Sequence, residues 1–182
     1  MFLLKKKYQL ANIYNSIFKE NFKKKLNFDW VKYPYRYDII KKIIEKKKYS
    51  SYLEIGCFED ETFNKINIDK KVGVDPNSGG NVRLTSDNFF KINKDTFDII
   101  FIDGLHAYDQ VKRDITNSLK VLNKNGTLLL HDCLPQKVRD QVTLRAHENW
   151  NGDVWKAIVE CRTLKYIDTY TCFADQGIGV IL

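Results

Sequence analysis

The spacing of hydrophobic residues changes from helical to strand-like near Ser51. Before that residue, a set of apolar side chains recurs at helical spacing with lysines on the other side, namely Leu10, Ile13, Tyr14, Ile17, Phe18 and Phe22. This pattern predicts an amphipathic helix over residues 8–25, followed by a connector at 27–34. A second helix is predicted to pass through Ile39, Ile40, Ile43 and Ile44 and to end in Lys46–Lys48, cations that suit the negative end of a helix dipole.

From Ser51 onward, short apolar runs alternate with helical patterns. Strands are predicted at 51–56, 70–75, 97–102, 127–132, 165–173 and 178–182, with helices near 60–66, from an N-cap at Ser86, over 111–122 and over 153–162. This alternation predicts an α/β domain with a doubly wound, mostly parallel sheet. The final strand is expected to be antiparallel, after a hairpin at 174–177. Residues 1–34 are expected to form an N-terminal helical arm, and 35–182 the single main domain.

The chain is organised around the run from Phe97 to Ile102, which stops abruptly at Asp103-Gly104. Six largely apolar residues rich in isoleucine indicate a strand buried on both faces. Ligands of open α/β sheets bind beyond the carboxyl ends of the parallel strands, so Asp103 and His106 are candidates for chemistry. The alternative is that Asp103 caps the next helix and His106 is a surface residue.

Charge and cysteine content limit the classes of protein. The net charge is +7, and the lysine clusters Lys5–Lys7, Lys23–Lys25 and Lys46–Lys48 all precede Ser50. Such clusters suit nucleic acid, an anionic membrane surface or an acidic substrate, or they form a solvated helix face. The four cysteines form neither a C-x-x-C pair nor a Cys/His cluster, so we expect no disulfide framework or zinc site and a cytoplasmic location.

Acidic residues lie at the ends of several predicted strands. Glu54 and Asp75 stand 21 positions apart, close to the spacing at which an acid on the second strand meets an adenosine ribose. NAD requires a glycine-rich loop against its pyrophosphate, whereas Gly56 is followed by Cys57, Phe58, Glu59 and Asp60. Glu59 and Asp60 would repel a pyrophosphate, so they argue against NAD and favour S-adenosylmethionine (SAM), a cationic cofactor without phosphate.

Five motifs in this order resemble the class I SAM-dependent methyltransferases, a Rossmann-like family, and more narrowly a bacterial group that accompanies polysaccharide biosynthesis. They are LEIG at 53–56, VGVDP at 72–76, TSDNFF at 85–90, FIDGLHAYDQVKRDI at 101–115 and LLLHDCLP at 128–135. The resemblance covers about Arg36 to the end of the chain, including WNGDVWKAI at 150–158. The sequence departs from the general class at Asp60, where a further glycine is common.

The resemblance implies roles for individual residues. Glu54, Gly56 and Cys57 would line the methionine part of the cofactor. Asp75, with Pro76 beside it, would take both ribose hydroxyls. Ser86 and Asp87 would lie near the adenine, and Asp103 near the amino group. The implied activity is methylation of a hydroxyl on a sugar or other small polar acceptor, with His106 as the preferred base.

A divalent cation is a further expectation at the same strand ends. Asp103 and Asp132 resemble the metal ligands of cation-dependent O-methyltransferases, and neighbouring strands about 4.8 Å apart would let both carboxylates share one Mg²⁺. His131 or His106 could complete the ligand shell or act as base. Trp150, Asp153 and Trp155 would contact a sugar, or would serve as core and cap.

Other partners and functions stay open at this point. The basic N-terminal helix could contact a membrane surface peripherally, and the chain could form a homodimer. One rival function is a nucleic-acid methyltransferase, although this sequence lacks the N/D-P-P-Y/F motif of amino-group methylation. The other is a binding protein without catalysis, which the departure at Asp60 suggests.

Overall fold

A computed structural model describes residues 32–145 and 150–182, together with Ile13 and Asp29. The helix predicted over 8–25, and with it most of the arm assigned to 1–34, lies outside the described residues. None of the helices within the described ranges is long and apolar enough to cross a membrane.

Four α-helices and six β-strands have both ends within the described residues. The helices are α1 (Arg36–Lys47), α2 (Ser86–Ile92), α3 (Tyr108–Val121) and α4 (Trp155–Cys161). The strands are β1 (Ser51–Ile55), β2 (Lys70–Val74), β3 (Phe97–Ile102), β4 (Leu122–Leu130), β5 (Thr169–Cys172) and β6 (Ile178–Ile181). Short 3₁₀ turns lie at Phe63–Lys65 and Val138–Gln141.

The strands form one mixed sheet in the order β2-β1-β3-β4-β6-β5. The pairs β1·β2, β1·β3 and β3·β4 are parallel, whereas β6 runs antiparallel to both β4 and β5. The predicted α/β class, the mostly parallel sheet and the antiparallel final strand are therefore confirmed. Because β1, β2, β3 and β4 all run in the same direction, their carboxyl ends lie at one edge of the sheet.

Burial on both faces explains why the central strands are continuous apolar runs. In β3, Phe97, Ile100 and Ile102 pack with α3 and α4 on one face, whereas Ile99 and Phe101 pack on the other face, where Ile40 of α1 lies. A parallel strand covered on both sides needs apolar side chains at nearly every position. The hydrophobic run at 97–102 therefore predicted β3 with its correct bounds.

Several local predictions were wrong, and the strand expected over 165–173 is confined to Thr169–Cys172. The N-cap of α2 is Thr85, whose hydroxyl accepts from the N–H of Asn88 at 3.3 Å, and Ser86 is already helical. The helix predicted to continue through Leu122 ends at Val121, because Leu122 pairs with Phe97 as the first residue of β4. The helix expected near 60–66 is only the 3₁₀ turn at Phe63–Lys65. Asp60 has a positive φ of 62°, which is incompatible with an α-helix that includes this residue.

Candidate active site

A cavity of about 780 Å³ opens at the carboxyl ends of β1 to β4. We call it the main cavity. Its lining contains every residue that the sequence proposed for cofactor, metal or catalysis: Glu54, Gly56, Cys57, Asp75, Pro76, Ser86, Asp87, Asp103, His106, His131 and Asp132. Four successive strand ends supply these side chains, so the parallel part of the sheet gathers residues that are up to 78 positions apart in the sequence.

Gly56 brings β1 against the end of β3. It has φ of 87°, and a Cβ at this position would lie 2.3 Å from the carbonyl oxygen of Asp103. Both the left-handed backbone and the close approach therefore require glycine. The loop that follows turns sharply at Phe58 and Asp60, which also have positive φ.

Asp60 supports this loop, at the position where the class that the sequence resembles commonly has a glycine. Its carboxylate Oδ1 accepts a 2.6 Å hydrogen bond from the N–H of Gly80, in the loop after β2. Aspartate tolerates the left-handed conformation because its short polar side chain can hydrogen-bond locally. The departure at Asp60 therefore leaves an ordered loop with its own anchor.

Asp75 accepts four backbone hydrogen bonds. Its Oδ2 accepts from the N–H groups of Cys57 and Phe58 at 3.1 Å each, and its Oδ1 accepts from Asn77 at 2.8 Å and Ser78 at 3.0 Å. Burial by itself would raise the pKa of Asp75, but the four backbone donors together lower it by more, so the pKa lies below its usual value. Asp75 thus joins the loops after β1 and β2, which is a role beyond the expected ribose contact.

The far end of the main cavity is polar. Gln110 of α3 donates through Nε2 to Ser86 at 3.1 Å, to Asp87 at 3.4 Å and to Asp114 at 3.0 Å. Asp114 is 1% exposed, and burial raises its pKa. Ser86 and Asp87 were predicted here, whereas Gln110 and Asp114 were missed because they occupy polar positions of an otherwise ordinary helix.

Four side chains converge between the ends of β3 and β4, and we call them the carboxylate–histidine cluster: Asp103, His106, His131 and Asp132. The Nδ1 atom of His131 lies 3.2 Å from an oxygen of Asp103 and 3.2 Å from an oxygen of Asp132. The Nε2 atom of His106 lies 3.5 Å from Asp103 and 3.3 Å from Asp132. The two carboxylates are therefore flanked by two imidazoles.

Residues from three other segments surround this cluster. Asp175, in the β5–β6 turn, lies 3.4 Å from Nε2 of His131, and Arg36 of α1 binds Asp175 at 3.0 Å. Asn151 donates to the other oxygen of Asp132 at 2.6 Å, and the carbonyl of Trp150 lies 3.0 Å from Nδ1 of His106. Neither Asp175 nor Asn151 was predicted, since nothing in their spacing along the sequence links them to the site.

Opposite charges shift the pKa values of the cluster in opposite directions. Burial would lower the pKa of His131, but Asp103 and Asp132 raise it well above its usual value. Burial would raise the pKa of Asp103, but the two imidazoles hold it well below its usual value. The pKa of His106 is raised in the same way, by Asp103 and Asp132 against the effect of burial.

Glu54 is a buried acid beside this cluster. Its side chain is 1% exposed and accepts a hydrogen bond from the hydroxyl of Tyr52. Burial is the main reason that its pKa is raised to about 8, although the Tyr52 hydrogen bond acts in the opposite direction. Glu54 is therefore largely protonated at neutral pH, and the cavity wall at the end of β1 carries little negative charge.

The three residues considered for sugar binding, Trp150, Asp153 and Trp155, lie in different environments. Trp150 lines the main cavity and stacks on His106, with ring centroids 5.3 Å apart. Asp153 accepts from the N–H of Tyr108 at 2.6 Å, so it caps the start of α3. Trp155 lies in a second groove beside Cys133 and Ile158, outside the main cavity lining.

The fold and part of the sequence match known proteins. Residues 44–133 match a family described as a methyltransferase domain, and this stretch ends just after Asp132. No curated protein matches the sequence.

Solved structures of methyltransferases share the fold at low sequence identity. An O-methyltransferase from Bacillus cereus in complex with SAH is 8% identical, with a TM-score of 0.60 over 98% of this chain and 90% of that one. The O-methyltransferase TomG from Streptomyces achromogenes, in complex with SAM, is 11% identical, with 0.58 over 97% and 88%. SAH-bound PaMTH1 from Podospora anserina is 16% identical, with 0.57 over 98% and 86%. The chain therefore has the Rossmann-like fold of methyltransferases and carries a methyltransferase-domain sequence over residues 44–133.

Proposed function

We propose that this protein is a SAM-dependent O-methyltransferase that methylates a hydroxyl of a sugar or another small polar acceptor. The observation that carries the proposal is the placement of the carboxylate–histidine cluster in the wall of the main cavity, beside Gly56 and Glu54. A methyltransferase must hold its cofactor and its acceptor in one space, with the reacting atoms aligned. The solved structures with SAH and SAM support the choice of cofactor.

The cofactor would lie across the carboxyl ends of β1 and β2. Gly56 and Cys57 would contact its methionine part, Asp75 and Pro76 its ribose, and Ser86 and Asp87 its adenine. SAM supplies the methyl group, and its cationic sulfur suits a cavity rich in carboxylates. Since Asp75 already accepts four backbone N–H bonds, a ribose would share these oxygens with the loop donors.

The cluster also fits a divalent cation. The ligand atoms of Asp103, His131 and Asp132 all lie within 4.8 Å of one another, and atoms that share a cation at about 2.1 Å lie about 3 Å apart. Asp103 and Asp132 would hold the cation, Mg²⁺ in the expectation from the sequence, and His131 would complete the set. A bound cation supplies a lower pKa for the acceptor hydroxyl.

His106 would take the proton of the acceptor hydroxyl. Its Nδ1 atom lies 3.0 Å from the carbonyl of Trp150, a contact that places the proton of the neutral ring on Nδ1 and leaves Nε2 as the basic nitrogen. Nε2 points at the carboxylates of Asp103 and Asp132, the place where the acceptor would be held. The stacked ring of Trp150 fixes the imidazole and offers an apolar face to the acceptor.

The biological setting is part of the same proposal. All four cysteines are free, which is consistent with the expected cytoplasmic location. The link to polysaccharide biosynthesis, the peripheral membrane contact and the homodimer remain predictions from the sequence alone. The basic clusters at Lys5–Lys7 and Lys23–Lys25, on which a nucleic-acid substrate would depend, lie outside the described residues.

Calorimetry with SAM, followed by a methyl-transfer screen over hydroxylated sugars and phenols, tests the proposal. We expect SAM and its demethylated product to bind and NAD not to bind. Transfer of the SAM methyl group to a hydroxyl, detected by mass spectrometry, is the expected result. Binding of NAD in place of SAM would contradict the proposal, and methylation only of nucleic acid would favour the rival function.

A further inference from the structure

We propose that the cation site of this protein takes a first-row transition ion such as Fe²⁺, Co²⁺ or Zn²⁺ in preference to Mg²⁺, with His131 as a nitrogen ligand that Asp175 positions. The inference rests on the proposed function for its purpose, because the cation would serve methyl transfer. Its test measures cation binding alone.

His131 lies directly between the two carboxylates. Its Nδ1 atom is equidistant from Asp103 and Asp132, at 3.2 Å from each. The side chain is 6% exposed, and its backbone N–H donates to the carbonyl of Ile102 at 3.0 Å. Because the sheet holds the backbone and burial holds the ring, a cation bound by both carboxylates would contact this nitrogen.

An imidazole nitrogen changes the choice of cation. Mg²⁺ prefers an all-oxygen, octahedral shell and retains several waters, whereas imidazole suits zinc, iron, nickel and copper. A site with two carboxylates and one buried imidazole therefore gives a transition cation one favourable bond that Mg²⁺ does not use well. The same imidazole also occupies space that magnesium-bound water would need.

The tautomer of His131 is set from the opposite side of the ring. For Nδ1 to bind a cation, Nε2 must carry the proton, and the acceptor nearest to it is Asp175 at 3.4 Å. Nε2 is buried, and it has no hydrogen bond of good geometry within the described residues. The other oxygen of Asp175 accepts from the backbone N–H of Arg36 at 2.9 Å and from its guanidinium at 3.0 Å. Such carboxylate–imidazole–metal arrangements orient the ligand and raise its basicity.

The two carboxylates are held in a corresponding way. Asn151 binds one oxygen of Asp132, and the other oxygen faces His131. The guanidinium of Arg36 lies 3.7 Å from one oxygen of Asp103, and the other oxygen faces His131. Each carboxylate thus has one oxygen beside an outer residue and the other directed at His131, an arrangement that orients both carboxylates toward one point.

The first experiment compares Co²⁺ with Mg²⁺ by calorimetry on the full chain, without SAM or acceptor. Transition ions bind most sites more tightly than Mg²⁺, so the decisive quantity is the change of the affinity ratio in His131→Asp. This variant replaces the nitrogen ligand by oxygen. We expect the Co²⁺ to Mg²⁺ ratio to fall by about tenfold or more, the scale on which loss of even a supporting group acts.

The second experiment examines Asp175 as a positioning residue. Asp175→Asn should weaken Co²⁺ binding by about 10- to 100-fold and change the Mg²⁺ affinity much less. Glu61→Gln is the matched control, because Glu61 also binds Arg36, at 2.6 Å, but is not in the set of possible ligands. It should leave both affinities unchanged. A loss of stability alone would weaken binding of both ions to a similar degree.

Proton NMR of the unmodified protein with Co²⁺ tests the nitrogen ligand even if the His131 variant fails to fold. A coordinated His131 should show a hyperfine-shifted, solvent-exchangeable signal from its Nε2–H, which disappears in D₂O and is missing from His131→Asp. An all-oxygen site has no such proton.

Absence of an exchangeable shifted signal, or an unchanged affinity ratio in His131→Asp, would overturn the inference. Failure of Co²⁺ to bind would overturn it as well. If Co²⁺ binds as expected but no hydroxyl is methylated, the proposed function fails and the cation site stands. If a hydroxyl is methylated but the ratio of Co²⁺ to Mg²⁺ affinities does not depend on His131, the function stands and this inference fails.

Discussion

Asp60 and Gly80 connect the two loops that would enclose the cofactor. The carboxylate of Asp60, in the loop after β1, accepts a 2.6 Å hydrogen bond from the N–H of Gly80, in the loop after β2. A Cβ added at the neighbouring Gly79 would lie 2.7 Å from the same carboxylate oxygen of Asp60 and 2.4 Å from the carbonyl oxygen of Phe58. The two loops therefore fit together only with glycine on one side and a short acceptor on the other.

Replacing Asp60 should show this coupling. Asp60→Ala loses the hydrogen bond that the N–H of Gly80 donates to the carboxylate and places alanine at a φ of 62°, so we expect a loss of about 2 to 4 kcal/mol in the free energy of unfolding. Asp60→Asn tolerates the backbone and retains an acceptor, so its loss should be about 1 kcal/mol or less. Urea unfolding measures both, and equal stability of the two variants would contradict the role assigned to this residue.

Asp75→Ala should weaken SAM binding about tenfold or more, since a carboxylate that accepts several hydrogen bonds contributes about 1.5 to 3 kcal/mol. The loss has two sources here, the ribose contact and the loop that Asp75 holds through Cys57 and Phe58. Asp69→Ala is the control, because Asp69 is exposed at the opposite end of β2. Calorimetry that gave equal affinities for both variants would place the cofactor elsewhere.

The source of the base is tested by combining chelation with His106→Ala. If His106 takes the acceptor proton, the variant should lose roughly 10² to 10⁴ in rate. If the cation alone lowers the hydroxyl pKa, chelation should abolish turnover and His106→Ala should retain appreciable rate. We expect both treatments to reduce turnover, as measured by initial rates at saturating SAM. Full activity after each treatment would leave positioning alone as the mechanism.

Glu54 should give the stability a specific dependence on pH. Its pKa is about 8 in the folded protein and about 4.5 in the unfolded chain, so between these values the folded state binds one more proton. Stability from this group is therefore present at low pH and is lost as pH rises toward 8. Glu54→Gln should be more stable than the unmodified protein near pH 8, by on the order of a few kcal/mol, and closer to it near pH 5.

Unfolding of both proteins from pH 5 to 8 checks this expectation. Other titrating groups, including His106 and His131, are present in both proteins and cancel in the difference. Glu45→Gln, at an exposed position of α1, is the control and should follow the unmodified protein. A difference between Glu54→Gln and the unmodified protein that did not vary with pH would show that Glu54 is charged in the folded state.

The fragment 35–182 should fold without the N-terminal arm. All members of the two hydrophobic cores in the described part of the chain lie between Tyr37 and Ile181. We expect cooperative unfolding and SAM binding close to those of the full chain, with reduced turnover if the arm covers the acceptor site. Normal turnover by the fragment would instead indicate that the arm is a packing or membrane element.

The sequence by itself determined the sheet and the position of the site. Buried parallel strands leave continuous apolar runs, a local pattern that identified β3 with its exact bounds and placed Asp103 directly after one strand and Asp132 at the end of the next. Since parallel strands end at one edge, residues at their ends must lie together, and the main cavity contains every residue predicted for cofactor, metal or catalysis. Here a local pattern and one general rule of topology were sufficient.

Only the tertiary structure decided what surrounds those residues. Asp175 reaches His131 because the β5–β6 hairpin folds back antiparallel against β4, and Arg36 reaches Asp175 because α1 packs on the same side. Asn151 and the carbonyl of Trp150 come from an irregular segment with no periodic pattern. The end of α3 was misplaced for a related reason, because Leu122 suits the helix stripe and the pairing with Phe97 equally well. Contacts between segments distant in the chain depend on how elements dock, and the spacing of residues within each segment carries no record of that.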